Sequence, residues 1–185
     1  MRVLGVSGSL RRGSYNTALL RYAGDLLEAE GAEFELYDGL REIPPYDEDD
    51  DTSDAPEAVT RMRRAVLDAD ALLFVTPEYN SSIPGALKNA LDWISRPFAT
   101  NALRFKPVAV IGASVTDYGA MWAQDHLRKA LGIAGARVLD SELAVSRAHE
   151  RFDDEGRLVD EATGSRLAEL LDELIAACDA LARAA

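Results

Sequence analysis

Soft metal ligands are scarce in this chain: one cysteine, Cys178, and two histidines, His126 and His149, serve 185 residues. A single thiol closes no internal disulfide and builds no cysteine metal cluster, and it suits a reducing cytoplasm. Neither histidine has a cysteine or serine site that calls for it, so both are expected to be solvated or packed, and no metal is expected. Positive charge is also short, with 20 Lys and Arg against 32 Asp and Glu and a formal charge of −12. Nucleic acids and anionic membranes need a basic face, so neither is expected as a partner. A few arginines beside a helix N-terminus still suffice to bind a phosphate. Long apolar runs are missing too; none approaches the roughly 20 residues that cross a bilayer. The apolar start Val3-Leu4-Gly5-Val6 breaks at Ser7-Gly8-Ser9, too early for the core of a signal peptide, and reads as a first strand. The acidic segment 47–54 lacks the glycine turn and closing glutamate of a calcium loop, and is expected to be a solvated surface loop.

What is present is an ordinary globular composition, 48% hydrophobic and 28% charged, in a length that fits a single domain over residues 1–185. A chain of this size buries roughly 70% of its unfolded surface, enough for a core without staples. Short β-like runs alternate with amphipathic stretches. After the first strand, residues 15–30 carry Leu19, Leu20, Ala23, Leu26 and Leu27 at helical spacing. Residues 33–37 read as a second strand and 56–68 as a second helix. Ala71-Leu72-Leu73-Phe74-Val75 is fully apolar, as the centre of a parallel sheet demands. Pro84 starts a third helix with Ala86, Leu87, Ala90, Leu91 and Ile94 inward. Residues 107–112 and 121–133 give the fourth strand and helix, and a fifth strand lies between 137 and 145. Residues 160–183 form a last helix with Leu167, Leu170, Leu171, Leu174, Ile175, Cys178 and Leu181 on one stripe. Five strands interleaved with helices predict an α/β doubly wound sheet.

In such a sheet ligands bind beyond the carboxyl ends of the strands, so the loops after strands one, three and four carry the chemistry. The first, Ser7-Gly8-Ser9-Leu10-Arg11-Arg12-Gly13-Ser14-Tyr15-Asn16, places two guanidinium groups and several hydroxyls just before a helix, a setting that favours a phosphate. The same residues also suit a plain turn with Ser14 as helix cap. It is not a P-loop, which needs a lysine, nor a Gly-x-Gly-x-x-Gly turn, since its glycines fall at 5, 8 and 13. Gly5-Val6-Ser7-Gly8-Ser9 is no nucleophile elbow either, because serine stands where the last glycine belongs. The second loop, Thr76 through Gly85, combines an aromatic with amide donors, which suits a flat heterocycle with a polar edge.

Gly8-Ser9-Leu10-Arg11 with Ser14 and Asn16, then Pro77-Glu78-Tyr79-Asn80 running into Ser82-Ile83-Pro84-Gly85-Ala86-Leu87-Lys88-Asn89-Ala90-Leu91-Asp92-Trp93, resemble the NADPH-dependent FMN reductase family. That family includes quinone, chromate and azo-dye reductases. The resemblance runs from residue 2 to about 145. It implies a flavodoxin-like, five-stranded parallel sheet of order 2-1-3-4-5 with helices on both faces, and FMN as cofactor. Ser9, Arg11, Ser14, Tyr15 and Asn16 would hold the FMN phosphate. Pro77, Glu78, Tyr79, Asn80 and Ser81 would meet the flavin ring, and Gly112, Ser114 and Gly119 its other edge. The third loop departs from the family's glycine-rich pattern at Val115, Thr116, Asp117 and Ala120. Lys88, Asp92 and Trp93 fall where a subunit contact would form in a homodimer or homotetramer.

The implied reaction takes hydride from NADPH or NADH to the flavin and then reduces a quinone, azo dye or metal oxyanion by two electrons, in the ping-pong order. No protein base or nucleophile is then required. Arg12, Arg41 and Arg96 are candidates for the 2′-phosphate of NADPH. A one-electron flavodoxin-type carrier, a non-catalytic FMN-binding module and a reductase that releases free reduced FMN remain alternatives. The expected setting is cytoplasmic.

Overall fold

The computed structural model describes residues 1–184. Its sheet is wholly parallel. Strands β1 (Arg2–Ser7), β2 (Glu33–Tyr37), β3 (Ala71–Thr76) and β4 (Pro107–Ala113) alternate with helices α1 (Tyr15–Ala29), α2 (Glu57–Asp68), α3 (Gly85–Ile94) and α4 (Met121–Ile133). Beyond them come β5 (Arg137–Val138), β6 (Leu143–Val145), the short helix α5 (Ala148–Arg151) and the long α6 (Glu161–Ala184). The strand order is β2-β1-β3-β4-β5, with β6 also pairing with β4. This is the flavodoxin-like doubly wound order, whose ligand crevice opens where β1 and β3 diverge.

Successive side chains on a strand point to opposite faces, and β3 shows how this builds two cores. Leu72 and Phe74 pack with Val59, Met62 and Val66 of α2, Leu87 and Ala90 of α3, and Leu127 and Leu131 of α4. Ala71, Leu73 and Val75 face Leu19, Leu20, Ala23 and Leu27 of α1 and Leu167, Leu171 and Leu174 of α6. Both faces are covered, so β3 is buried along its length, and that is why its sequence is apolar without alternation. Cys178 belongs to the second core; burial pushes its thiol up to about 11, leaving it neutral and inert.

Two features differ from the sequence expectation, and a third, the acidic loop, follows it except at one residue. The fifth strand is split into β5 and β6, each parallel to β4. Arg128 of α4 spans the break: its guanidinium donates to the carbonyls of Leu139 and Ser141, and to Val110 at 3.2 Å. Leu139 still donates its N–H to the Val108 carbonyl at 2.9 Å, and the pairing with β4 resumes at Leu143. Trp93 is buried, 1% exposed, with its indole N–H donating to the Pro44 carbonyl at 2.9 Å, so it is a core residue and not a surface for a second subunit. The acidic segment 47–54 is anchored at one point: Asp51 pairs with Arg63 at 2.7 Å, and Arg63 also donates to the Trp93 carbonyl. The neighbouring Asp47, Asp49, Asp50 and Asp54 stay exposed.

Candidate active site at the carboxyl edge of the sheet

The loop after β1 presents backbone donors. Ser14 caps α1, its hydroxyl accepting from the Thr17 N–H at 3.4 Å, and its carbonyl accepts from Ala18. Gly13 sits at φ 66° and turns the chain into the helix. Among the described residues, the N–H groups of Arg12, Gly13, Ser14, Tyr15 and Asn16 meet no acceptor in the chain. Five unpaired donors at a helix N-terminus, beside exposed Arg11 and Arg12, make a cradle for a phosphate. Ser9 lies at the loop's base, its hydroxyl accepting from the Arg11 N–H at 3.4 Å. Tyr15 leans against Phe152, ring centres 5.4 Å apart, and the Arg11 guanidinium lies over the Tyr15 ring at 5.9 Å.

Asn16 does something its position in sequence does not reveal. Its side chain is 4% exposed and reaches β4, accepting from the Ala113 N–H and donating to the Ala113 carbonyl, both at 2.9 Å. The amide oxygen therefore faces β4 and not the loop. Asn16 fixes the cradle to the neighbouring strand end, while its backbone N–H remains one of the five free donors. The Gly8 N–H, donating to the Val75 carbonyl at 2.8 Å, ties the same loop to β3.

The loop after β3 folds into a two-residue hairpin. Tyr79 and Ser82 exchange backbone hydrogen bonds at 3.0 and 3.1 Å, and the central Asn80 and Ser81 both take positive φ, 52° and 57°. Two positive φ values in a two-residue loop define a type I′ turn, in which the central N–H groups point outward. Those of Asn80 and Ser81 have no acceptor in the chain. Pro77 is buried at the base, and Tyr79 is 52% exposed at the tip. Glu78 and Ser82 hold the hairpin to α4: the Glu78 carboxylate accepts from the Ala123 N–H at 3.1 Å, and Ser82 Oγ meets His126 Nδ1 at 3.1 Å. A carboxylate at a helix N-terminus also complements the helix dipole.

The loop after β4 satisfies itself. Ser114 bonds Thr116 through both hydroxyls at 3.0 Å, and Thr116 Oγ1 accepts from the Tyr118 N–H. Arg147 and Ala148 donate their N–H groups to Thr116 and Ser114, and Arg147 Nε pairs with Asp117 at 2.6 Å. That hydrogen bond, with the carboxylate's charge, raises the pKa of the Arg147 guanidinium further above its ordinary value. Gly119, at φ 57°, packs against the Ala144 backbone so closely that a Cβ would lie 2.5 Å from its carbonyl carbon. Gly112 is likewise buried, with room for no side chain below the Thr76 carbonyl. These two glycines shape the loop from within and do not line open space; Ser114 is half-buried.

Adjacent strands β1, β3 and β4 thus deliver Ser9, Arg11, Ser14 and Tyr15, the 77–81 hairpin and Ser114 to one edge of the sheet. Arg96 is not among them, because α3 runs ten residues, about 15 Å, away from that edge before reaching it. Arg41 is engaged, donating to the Leu10 carbonyl at 2.9 Å. Beyond the expected residues, Tyr118 and Trp122 pair at 4.7 Å and stand 55% and 39% exposed at the start of α4. Exposed aromatics at a helix start beside a ligand edge were the available signal for them. Among the described residues no cluster of three His, Cys, Asp or Glu is placed to hold a metal ion, and no helix is long and apolar enough to cross a membrane.

Comparison with known proteins matches residues 1–150 to the NADPH-dependent FMN reductase family. A NAD(P)H-dependent FMN reductase of Pseudomonas aeruginosa is 44% identical, covering 94% of this chain and 93% of its own length. A 2-hydroxy-1,4-benzoquinone reductase of a Burkholderia species is 38% identical over 95% of each chain. Among solved structures, the flavoenzyme NAD(P)H:(acceptor) oxidoreductase of Paracoccus denitrificans superposes with a TM-score of 0.86 at 35% identity, covering 96% of this chain and 97% of its own.

Proposed function

The chain belongs to the NADPH-dependent FMN reductase family, and from that premise we propose that it is a quinone reductase working by two alternating half-reactions at one site. It is an oxidoreductase that uses FMN and a reduced nicotinamide coenzyme. When bound, FMN would supply the redox chemistry, taking up hydride from the nicotinamide and passing two electrons to the acceptor.

The protein's part is to grip, orient and screen. The five free N–H groups of residues 12–16 carry the reading: with Arg11 and Ser9 they hold the FMN phosphate at the N-terminus of α1. Ser14 and Tyr15 contribute through the same turn, and Asn16 keeps it in register with β4. The N–H groups of Asn80 and Ser81, which have no acceptor in the chain, would meet the ring's polar edge and would stabilise negative charge there. Pro77, Glu78 and Tyr79 would back that edge, and Ser114 would meet the ring's far side from the loop that Gly112 and Gly119 shape. No side chain is needed as acid or base. Tyr79, Tyr118 and Trp122 give flat apolar surface for planar acceptors, of which quinones are favoured by the quinone reductases among the relatives. Azo dyes and metal oxyanions are further acceptors of the same site.

We place the enzyme in the cytoplasm and assemble it as a homodimer or homotetramer. A second copy covers the α3–α4 face, where Phe98 and Ile133 are 52% and 62% exposed beside the Lys88–Asp92 ion pair. A strictly monomeric light-scattering mass would remove the assembly.

The functional test is anaerobic mixing of the FMN-loaded protein with NADPH and, separately, NADH. Rapid bleaching of the oxidised-flavin absorbance is expected, followed by recovery on adding a benzoquinone, with parallel double-reciprocal plots in steady state. No bleaching would leave an electron carrier or a silent binding module; intersecting plots would remove the alternating order.

A further inference from the structure

A large cavity lies next to the phosphate cradle and not over the 79–82 hairpin. It is a groove of about 900 Å³ between the exposed side of α1 and the segment 149–158. Arg11, Ser14 and Tyr15 belong to both the cradle and the groove, so the two are continuous. From Tyr15 to Asp25 the groove follows α1 for roughly 15 Å, a length that accommodates a nucleoside with its phosphate.

Its walls differ in charge. Arg11, Arg12 and Arg21 line the α1 side, and none of the three has a carboxylate within 4.0 Å among the described residues. Three unpaired guanidinium groups in one groove are unexpected in a protein of charge −12. On the opposite wall, Arg157 engages Asp153 at 2.7 Å and Glu155 at 2.9 Å, so these two acids of the 153–157 turn are neutralised from within. Asp25 and Asp154 also line the groove; they suit an amino group and repel a phosphate. Between the walls, Tyr15, Phe152 and Tyr22 supply flat surface for a heterocycle.

From this we infer that the groove is the seat of the adenosine 2′-phosphate of NADPH, with Arg12 and Arg21 as the residues that select NADPH over NADH. A phosphomonoester dianion matches the arginine fork, whereas the 2′-hydroxyl of NADH offers it nothing to neutralise. Arg11 remains with the cradle. The inference rests on the reading of this chain as a nicotinamide-dependent flavoenzyme, and it names the coenzyme's second anchor.

The first arm of the test needs no turnover. The FMN-loaded protein is titrated with adenosine 2′,5′-bisphosphate and with adenosine 5′-monophosphate in a calorimeter at low salt. The bisphosphate is expected to bind about tenfold or more tightly than the monophosphate, and Arg21→Ala to erase that difference while Arg21→Lys keeps part of it. The second arm measures the NADPH-over-NADH ratio of kcat/KM, expected to fall about tenfold in Arg21→Ala and in Arg12→Ala. Equal binding of the two adenosine nucleotides, or an unchanged coenzyme ratio in both variants, overturns the inference, as does a second equivalent of FMN displacing the bisphosphate. Failure of both coenzymes to bleach the flavin strikes the functional reading instead, and the calorimetric arm still decides what the groove binds.

Discussion

Between residues 12 and 16 five backbone N–H groups have no acceptor in the chain, whereas between residues 114 and 118 hydroxyls, amides and an ion pair answer one another. Both loops leave the same edge of the same sheet. The first is held from outside, by Asn16 on β4 and Gly8 on β3, which frees its own donors for a ligand. The second is held from inside, and by Arg147 and Ala148 of the segment that follows β6. A loop that grips an anion must keep its donors unpaired, and it stays ordered only if something else pins it. A loop that serves as a wall has no such requirement. The contrast also gives Thr116 and Asp117 a use: they make the bonds that tie the wall together.

The largest expected effect breaks the first loop's anchor. Asn16→Ala removes two buried hydrogen bonds and leaves both backbone groups of Ala113 without partners, a loss of about 3 kcal/mol. Urea unfolding should show it, together with weaker FMN retention. An unchanged midpoint would mean that the cradle does not depend on β4.

That anchor also marks the limit of what the sequence discloses. The helices and central strands are legible because their apolar periods are local: Leu19, Leu20, Ala23 and Leu27 are all buried on α1, and β3 is apolar because both faces are covered. The cradle and the hairpin are legible because arginine, serine, asparagine and proline at those spacings have few other uses. Illegible features depend on partners far along the chain. Asn16 resembles a ligand contact until its amide meets Ala113, 97 residues away. Trp93 resembles a surface anchor until its indole finds Pro44, 49 residues away. The split of the fifth strand is bridged by Arg128 on a helix, and no pattern within 137–145 announces it.

A smaller effect tests the wall. Gly119→Ala sets a Cβ against the Ala144 backbone at a positive φ, costing about 2 kcal/mol. Thermal melts should show the loss, with FMN affinity falling less than in Asn16→Ala. An equal fall in affinity would erase the distinction between the loops. Smallest is Glu78→Gln, which keeps an oxygen for the Ala123 N–H but removes the charge at the start of α4. The expected cost is about 0.5 kcal/mol, shrinking as salt rises. A loss insensitive to salt would show that shape and not charge ties the hairpin to α4.

The central claim is that the loop after β1 holds the phosphate of FMN. Titrating the flavin-free protein with FMN and with riboflavin, which differ by that phosphate alone, tests it most directly. The account predicts that FMN binds at least about 100-fold more tightly, close to 2.7 kcal/mol from the phosphate. Equal affinity for the two flavins would contradict it.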